Sequence, residues 1–291
     1  MKIVMMFFIV VTMSSTTLYC QEAPALPLSP PVITQTKMDS VHGPWKHTMI
    51  ISASITQVSF TDWAQGGENS LAYALFVEGK SVYSDTTLLW ENNYKFGYGQ
   101  AKLGTQGIRK TDDKIDLSSV LTYKMGVLIN PYASATMKTQ FTEGETFDAN
   151  NVGTPVSNFF DPAYLTQSAG VGYRPIQQVK TRLGIGLREI FTNHYNAYAG
   201  GRMTDIDGGL ESVTDVGWTV MENVVLNATW ELFSPLKKMA QITVRSDNTL
   251  SMKVNKFLSM NINVQLINDP TVQPRTQIKE TLALGISYTI L

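Results

Sequence analysis

Ionisable side chains recur at every second position along several segments of this chain. Lys180 and Arg182 are two residues apart, and Glu211 and Asp215 are four apart. Residues at these spacings point to the same face of a β-strand. One such face would carry acidic and basic groups together. This predicts either a charge-lined polar channel or an interior filled by ion pairs, because a buried charge needs a partner.

The histidines give little support for catalysis. His42 and His47 precede or open the first predicted strand, and His194 lies in a predicted loop. Some barrel lipases use a Ser–His pair on the wall, but no serine here stands in a recognisable nucleophile setting. We therefore expect no enzymatic activity, and ester hydrolysis through His194 is the least favoured alternative.

Acidic residues cluster in three predicted loops, at 112–113, 143–148 and 205–207. None of these clusters has the spacing of a twelve-residue calcium loop. We expect solvated acids, or acids that face lipopolysaccharide, and we predict no metal and no cofactor. The pair Gly66 and Gly67 is better explained by a tight loop than by a phosphate cradle.

Composition excludes some classes of protein. The 291 residues carry 23 basic and 24 acidic side chains, so the strong basic excess of a nucleic-acid binder is missing. Charged residues make up 16% of the chain, whereas a soluble domain has about a quarter. Ser, Thr, Asn, Gln and Gly take their place, which suits a wall between lipid and a polar interior. Composition alone does not exclude a soluble all-β protein.

The N-terminus predicts export. Lys2 is followed by the apolar stretch 3–13 and the more polar stretch 14–20, which is the pattern of a secretory signal peptide over residues 1–20. The apolar stretch is shorter than the roughly twenty residues of a membrane-spanning helix. Cleavage without lipidation is favoured over acylation of Cys20. The proline-rich segment 21–44 is predicted to be a flexible periplasmic leader.

Alternation of apolar and small residues is sharpest near the C-terminus. Leu282, Leu284 and Ile286 are apolar, whereas Ala283 and Gly285 between them are small. About twelve segments are long enough to cross a bilayer as tilted strands of roughly 9–11 residues. They are 46–58, 69–80, 86–100, 114–125, 129–142, 163–174, 177–190, 208–220, 223–235, 239–254, 257–268 and 276–290.

The segment 239–254 could instead be two short strands around the polar triplet 246–248. Each half would then be too short to cross, and the strand number would be odd, unlike bacterial single-chain barrels. We therefore predict one long strand with the triplet beyond the membrane.

The links between the predicted strands alternate in length. Short links fall near 81–85, 126–128, 175–176, 221–222 and 255–256, and longer ones near 59–68, 101–113, 143–162, 191–207 and 269–275. The link at 235–238 is the exception. Outer-membrane barrels alternate short periplasmic turns and longer outer loops in this way. The sequence predicts a transmembrane, antiparallel, up-and-down β-barrel of about twelve strands over residues 45–291.

The faces opposite the apolar ones would line the lumen of this barrel. A barrel of about this size lies between one filled by side chains and an open channel. We favour an ion-paired, largely filled interior, and the alternative is a narrow channel with a basic side. The predicted lumen-lining residues are Lys95, Asp116, Lys124, Lys138, Lys180, Arg182, Arg188, Glu211, Asp215, Glu231, Arg245 and Lys253.

Two motifs carry a family resemblance. One is the run 63–70, with Trp63, Gly66, Gly67 and Asn69 in a W-x-x-G-G-x-N pattern. It resembles the signature of an uncharacterised Bacteroidota outer-membrane family that is catalogued only as a domain of unknown function. The resemblance covers roughly 45–291 and implies an outer-membrane β-barrel, without implying an activity. The second motif, 109–115, contains Lys110, Thr111, Asp112 and Asp113.

The C-terminus resembles the signal that barrel-assembly machinery reads, with Gly285 three residues before Tyr288 and an apolar Ile290. We expect that machinery, outer-membrane lipid and lipopolysaccharide as partners, no nucleic acid, and a monomer in the bacterial outer membrane. The predicted role is structural, or that of a narrow polar channel of unknown substrate. The alternative is an accessory or receptor protein that binds a partner or glycan through the loops 143–162 and 191–207.

Overall fold

A computed structural model describes residues 44–59, 68–126, 128–195, 201–255, 258–270 and 275–289. The predicted signal peptide and nearly all of the leader lie outside these residues, as do Trp63, Gly66 and Gly67. In the described part of the chain, no helix is long and apolar enough to cross a membrane.

Almost every regular element of the described residues is a β-strand. A short 3-10 helix follows β11 at Leu236–Lys238. The strands are β1 Trp45–Val58, β2 Ser70–Ser84, β3 Leu88–Leu103, β4 Arg109–Tyr123, β5 Ile129–Thr139, β6 Gly144–Phe147, β7 Gly153–Ser157, β8 Ala163–Ile176, β9 Val179–Phe191, β10 Thr204–Met221, β11 Val224–Pro235, β12 Thr243–Lys253, β13 Leu258–Asn268 and β14 Gln277–Thr289.

Twelve of these strands close into a barrel in the order β1-β14-β13-β12-β11-β10-β9-β8-β5-β4-β3-β2, and every pairing is antiparallel. This confirms the predicted fold class and strand number. β6 and β7 form a separate two-stranded hairpin within the link between β5 and β8. The sequence did not predict this hairpin.

The structure corrects two details of the wall. The link predicted near 101–113 is only 104–108, because β3 and β4 extend further and pair up to Ala101 and Arg109. The polar triplet 246–248 lies within the paired ladder of β12, with Asp247 opposite both Thr229 and Gln265. It does not project beyond the wall.

Two outward side chains of that triplet satisfy each other. The Asn248 side chain accepts a hydrogen bond from Trp230 Nε1 at 2.9 Å and donates one to Ser246 Oγ at 2.6 Å. Polar groups that bond to one another in this way can lie on an otherwise apolar surface. Hydrogen bonding, rather than position outside the barrel, explains why the triplet is tolerated.

Strand alternation separates two surfaces. On β2, Leu71, Tyr73 and Leu75 are at least 40% exposed, whereas Ala74 and Phe76 are 3% exposed. Closure of the barrel leaves no other sheet to cover the exposed apolar side chains, and a soluble protein rarely leaves so large a patch open. The exposed side is the one that faces lipid, and the buried side faces the lumen.

We refer below to the turn end of the barrel, with the short links such as 85–87 and 177–178, and the loop end, with links such as 140–162 and 192–203. Consecutive strands run alternately toward each end. The turn end is the periplasmic end if the N-terminus lies in the periplasm, as predicted.

Candidate functional site

The lumen at the turn end is crossed by an ion pair. Lys180 Nζ on β9 lies 2.6 Å from Glu91 Oε2 on β3, and Lys80 Nζ on β2 lies 3.0 Å from Glu91 Oε1. The strands β8, β5 and β4 separate β9 from β3 in the wall. The contact between Lys180 and Glu91 therefore spans the interior rather than one ladder.

A second contact crosses the middle of the lumen. Lys114 Nζ on β4 lies 3.4 Å from Asp247 Oδ2 on β12, a strand on the opposite side of the barrel. Asn263 Nδ2 also donates a hydrogen bond to Asp247, at 2.6 Å. Lys95 is the register partner of both Glu78 and Asp116, so acid and base also alternate around the wall at this level.

Two further pairs lie toward the loop end. Lys138 Nζ on β5 donates to Glu231 Oε2 on β11 at 2.6 Å. Lys279 Nζ on β14 donates to Asp112 Oδ1 on β4 at 2.9 Å. In both pairs three strands intervene along the wall. Cross-lumen pairs are thus distributed along the whole length of the interior.

Arginines fill part of the remaining space by stacking on aromatic rings. The guanidinium of Arg188 lies 3.8 Å from the centroid of Phe233, that of Arg245 lies 4.7 Å from Tyr164, and that of Arg182 lies 5.6 Å from Tyr132. Cation–π contacts of this length are attractive, and more so when water is excluded. Each contact joins two different strands, so it adds to the links across the interior.

The ring of Phe233 is fitted into a place where only glycine leaves room. A Cβ atom on Gly209 of the adjacent strand would lie 2.6 Å from Phe233 Cζ. Phe233 is 2% exposed, between this glycine and Arg188. A large inward side chain that packs against a glycine of the neighbouring strand fills the lumen without forcing the wall apart.

The structure places the predicted lumen residues in different environments. Lys124 lies in a turn, where Nζ donates to Ser84 Oγ and Asp85 O, so its predicted lumen position is wrong. Lys253 is exposed at the turn end of β12. Arg182 lies 3.8 Å from Asp215. The inward faces carry Lys95, Asp116, Lys138, Lys180, Arg182, Arg188, Glu211, Asp215, Glu231 and Arg245.

Sequence reasoning missed several acids and bases of the lumen. Glu91 and Asp247 each complete a cross-lumen pair, and so do Lys114, Lys279 and Asp112. The signal was the same two-residue spacing: Glu91 precedes Lys95 by four residues, and Asp247 follows Arg245 by two. The spacing assigns a face, but it does not identify the partner on a distant strand.

The second motif holds an outer link in place. Asp113 accepts hydrogen bonds from the backbone N–H groups of Phe141 and Thr142, at 2.6 and 2.8 Å, and from Thr142 Oγ1. Lys110 Nζ donates to Asp113 Oδ2 and to Thr142 O. Lys279 Nζ also lies 3.4 Å from Thr111 O. The motif therefore ties β4 to the start of the 140–162 link.

The first motif is described only in part. The backbone O of Asn69 accepts a hydrogen bond from Gly104 N at 2.7 Å, which joins the loop ends of β2 and β3.

His194 is a loop residue, as predicted, and its backbone N donates to Asp161 Oδ2 at 2.7 Å. Among the described residues, no three histidine, cysteine or acidic side chains come close enough together to hold a metal ion.

A carboxylate organises the turn between β2 and β3. Asp85 Oδ1 accepts hydrogen bonds from the backbone N–H groups of Leu88 and Thr87, each at 2.7 Å, and Tyr83 Oη donates to Oδ2 at 2.9 Å. These bonds favour the ionised form. The pKa of Asp85 is lowered to about 2, chiefly by the Leu88 N–H group and next by that of Thr87.

Two family models match the chain. One, "Protein of unknown function (DUF3078)", covers residues 55–144. The other, "Protein of unknown function, DUF481", covers residues 157–290. The predicted resemblance to a family catalogued only as a domain of unknown function is confirmed at this level. Both sequence motifs fall within 55–144, and the β6–β7 hairpin spans the boundary between the matches.

No curated protein matches the chain. Solved structures that resemble it include an outer-membrane channel from Pseudomonas putida F1, at 10% identity and a TM-score of 0.39, covering 89% of this chain and 99% of that one. The translocator domain of the autotransporter NalP from Neisseria meningitidis matches at 9% identity and 0.37, covering 86% and 90%. The NanC porin matches at 10% and 0.36, covering 83% and 98%. At these TM-scores the similarities assign no function.

The location follows from the molecule itself. The barrel is closed, has an even number of antiparallel strands, and exposes apolar side chains such as Ile185, at 68%, and Leu183, at 56%. A closed barrel lets the backbone N–H and C=O groups find hydrogen-bond partners on neighbouring strands within lipid. Barrels with an even number of antiparallel strands and an apolar exterior are typical of bacterial outer membranes. The chain is an integral β-barrel protein of the bacterial outer membrane.

Proposed function

We propose that the protein is a structural outer-membrane barrel whose narrow polar lumen is closed to solutes by its own side chains. The observation that carries this proposal is the set of ion pairs between non-neighbouring strands. Lys180–Glu91 lies at the turn end, Lys114–Asp247 in the middle and Lys138–Glu231 toward the loop end. A solute moving along the axis would have to separate each pair in turn.

Separating a pair is costly in this setting. The side chains of Lys138 and Glu231 are 25% and 30% exposed, so neither is fully solvated. An ion left unpaired in a partly buried site loses the partner that compensates its desolvation. Acidic and basic side chains occur in similar numbers in the lumen. This balance favours mutual neutralisation of the charges over a channel that strongly selects ions of one sign.

Single-channel recording in planar bilayers tests this proposal. The wild-type barrel should show no sustained conductance steps. Glu231→Gln and Asp247→Asn each remove one half of a cross-lumen pair, and the double variant should show steps or frequent flickering. Glu189→Gln is the matched control, because Glu189 follows Arg188 on β9 and therefore points to the outer surface. Stable, large steps in the wild type would establish an open channel instead.

An ordered outer link favours a second candidate function, that of a receptor. The β6–β7 hairpin is held on β4 by Arg109, whose guanidinium lies 3.9 Å from the Phe147 ring and donates to Asn151 Oδ1. A rigid hairpin loses less entropy on binding than a flexible loop does. Pull-down with a variant lacking 144–157 should lose the partner or glycan, whereas unchanged recovery would reject this candidate.

We extend the proposal to the surroundings of the barrel. The protein acts as a monomer in contact with outer-membrane lipid and lipopolysaccharide, and barrel-assembly machinery inserts it. The apolar exterior supports the lipid contact. Mass photometry of the detergent-folded protein measures the mass of the particle and so tests whether it is a monomer.

A further inference from the structure

The link between β11 and β12, residues 236–242, has an apolar side and a basic side, and we call it the rim link. It begins with a 3-10 helix, and Met239 after this helix keeps right-handed helical backbone angles. Three residues make one turn of a 3-10 helix, so Leu236 and Met239 lie on one side. Lys237 and Lys238, between them, point away from that side. All four residues are exposed.

The apolar side of the rim link continues the outer surface of the wall. Pro235 ends β11 and Thr243 begins β12, and both belong to the inward faces of their strands. Because successive side chains alternate, Leu236 and Ile242 take the outward direction. They are 58% and 42% exposed. Both ends of the rim link therefore extend the lipid-facing surface and not the surface of the lumen.

A hydrogen bond holds the helix of the rim link against this outer surface. Ser234 Oγ, which points outward on β11, donates to the backbone O of Met239 at 3.3 Å. Met239 is 57% exposed, and Leu232, on the same face of β11, is 41% exposed. The exposed apolar surface thus runs from the strand onto the helix without interruption, and exposed apolar surface of this kind marks contact with a membrane or a partner.

The wall beside the rim link shows where charge begins on the outer surface. The last pair between β10 and β11 is Gly209–Pro235, whereas residues 204–208 of β10 continue to pair with β9. Within this extension, Ile206 pairs with the outward acid Glu189. The rim link therefore starts on the apolar part of the wall, next to the boundary at which outward charge appears. Lipid headgroups lie at such a boundary.

The two lysines of the rim link have no acid to pair with. The chain carries no acidic residue between Leu232 and Ser246. No ion pair of the described residues includes Lys237 or Lys238. The link 140–162 at the same end of the barrel has the opposite character, with four acids and no base. Uncompensated positive charge next to an apolar surface complements a phosphate that is attached to acyl chains.

We propose that the rim link binds the phosphorylated headgroup of an acylated lipid, the chemistry that lipopolysaccharide supplies to the outer leaflet. Lys237 and Lys238 contact the phosphate oxygens, and the acyl chains lie along Leu236 and Ile242. The inference rests on the contact with lipopolysaccharide proposed above, and on a periplasmic turn end, and it names the site of that contact. It is independent of whether the lumen is closed.

Other occupants satisfy only part of the rim link. Free phosphate would neutralise the lysines but leave the apolar side uncovered. A second copy in a two-fold contact would set the same lysines against each other, because such an interface uses one patch of both copies. A phosphorylated lipid meets the charge and the apolar surface together.

Binding of lipid A, the phosphorylated and acylated part of lipopolysaccharide, tests the proposal. Native mass spectrometry of the detergent-folded full-length barrel gives the Kd. Each lysine near a lipid phosphate is worth about fivefold in affinity, so Lys237→Gln with Lys238→Gln should weaken binding about tenfold or more. The matched control is Lys46→Gln with Lys253→Gln, which removes two exposed lysines at the turn end and should bind as the wild type does. Heat-modifiable migration on a gel confirms that each variant is folded.

The source of the phosphate is tested with two further probes. Lipid A stripped of its phosphates should bind weakly and equally to the wild type and both variants. Excess inorganic phosphate should not displace intact lipid A from the wild type. Displacement would show a site for free phosphate and overturn the proposal, as would equal binding of lipid A to the Lys237→Gln, Lys238→Gln variant and the wild type. In that last case the proposed contact with lipopolysaccharide would stand without this site, whereas no binding to any of the proteins would reject both.

The depth of the rim link is measured in the bilayer. A fluorescent bimane is attached to Met239→Cys, with Cys20→Ser to remove the native thiol, in phosphatidylcholine vesicles that contain lipid A. Spin-labelled lipid should quench this dye more than aqueous iodide does. A dye on Val152→Cys, 60% exposed in the turn of the β6–β7 hairpin, is the control and should respond mainly to iodide. Quenching of the two dyes by iodide to the same extent would place the rim link in water and overturn the proposal.

Discussion

The two surfaces of the barrel wall treat charge in opposite ways. Among the described residues of the wall strands, outward acids and bases are confined to the parts nearer the strand ends. They are His47 near the turn end and Lys102, Lys110, Asp113, Glu189 and Glu280 toward the loop end. Inward positions on the same strands carry acids and bases that contact one another across the interior, as Lys138 and Glu231 do. The backbone is the same for both surfaces. The comparison shows that the surroundings of a charged side chain, rather than the strand that carries it, determine whether its charge stabilises this protein.

The largest expected effect comes from placing a charge on the outer surface. Ile262→Arg, near the middle of β13 and 38% exposed to lipid, should destabilise the barrel by about 2–4 kcal/mol. Gln265→Arg, inward on the same strand, is the control and should cost less. Urea unfolding from lipid vesicles measures both. If Gln265→Arg were the more disruptive variant, the assignment of the two surfaces would be inverted.

Removing half of a cross-lumen pair should have a smaller effect. Glu231→Gln leaves the Lys138 ammonium without its carboxylate and should cost about 1–3 kcal/mol. Lys138→Met together with Glu231→Gln should recover part of this loss, because neither charge is then left alone. A double-mutant cycle from unfolding curves gives the coupling energy. A coupling near zero would mean that water, not the partner, satisfies each charge.

The stacking of arginine on aromatic rings should contribute less still. Arg188→Lys keeps the charge but loses the planar contact with Phe233, and we expect a loss of about 0.5–2 kcal/mol. Arg202→Lys is the control, since Arg202 lies in an outer link with its side chain 72% exposed. Equal stability of the Arg188→Lys variant and the wild type would show that the ring contact contributes nothing.

The smallest effect is expected outside the lumen, at the turn between β2 and β3. The pKa of Asp85 is lowered to about 2 in the folded protein, from an unfolded value near 3.9. Its stabilising contribution is therefore present above about pH 4 and is lost as the pH falls through about 2. Asp85→Asn should be less stable than the wild type at neutral pH, and the difference should shrink on acidification. A pH-independent difference would show that charge is not involved.

Much of the wall could be predicted because its alternation is local. The predicted strand 257–268 corresponds to Leu258–Asn268, and 223–235 corresponds to Val224–Pro235. A residue's face follows from parity along its own strand, which needs no knowledge of the rest of the fold. The same parity placed Arg188 and Glu231 on the inner surface. Parity did not predict that Asp113 would anchor an outer link. That contact joins a strand to a loop residue, and alternation along one strand carries no information about a loop.

Sequence alone therefore determined that this chain forms amphipathic strands, about how many, and which side chains share a face. Only the tertiary structure decided that Lys180 meets Glu91 and that Lys114 meets Asp247, because closure brings together strands that are far apart in the chain. It also decided that the β1–β14 ladder ends early at Ala53. Alternation along a strand is a property of its own backbone, whereas contacts across the lumen and the length of the closing seam depend on the register of the whole ring of strands.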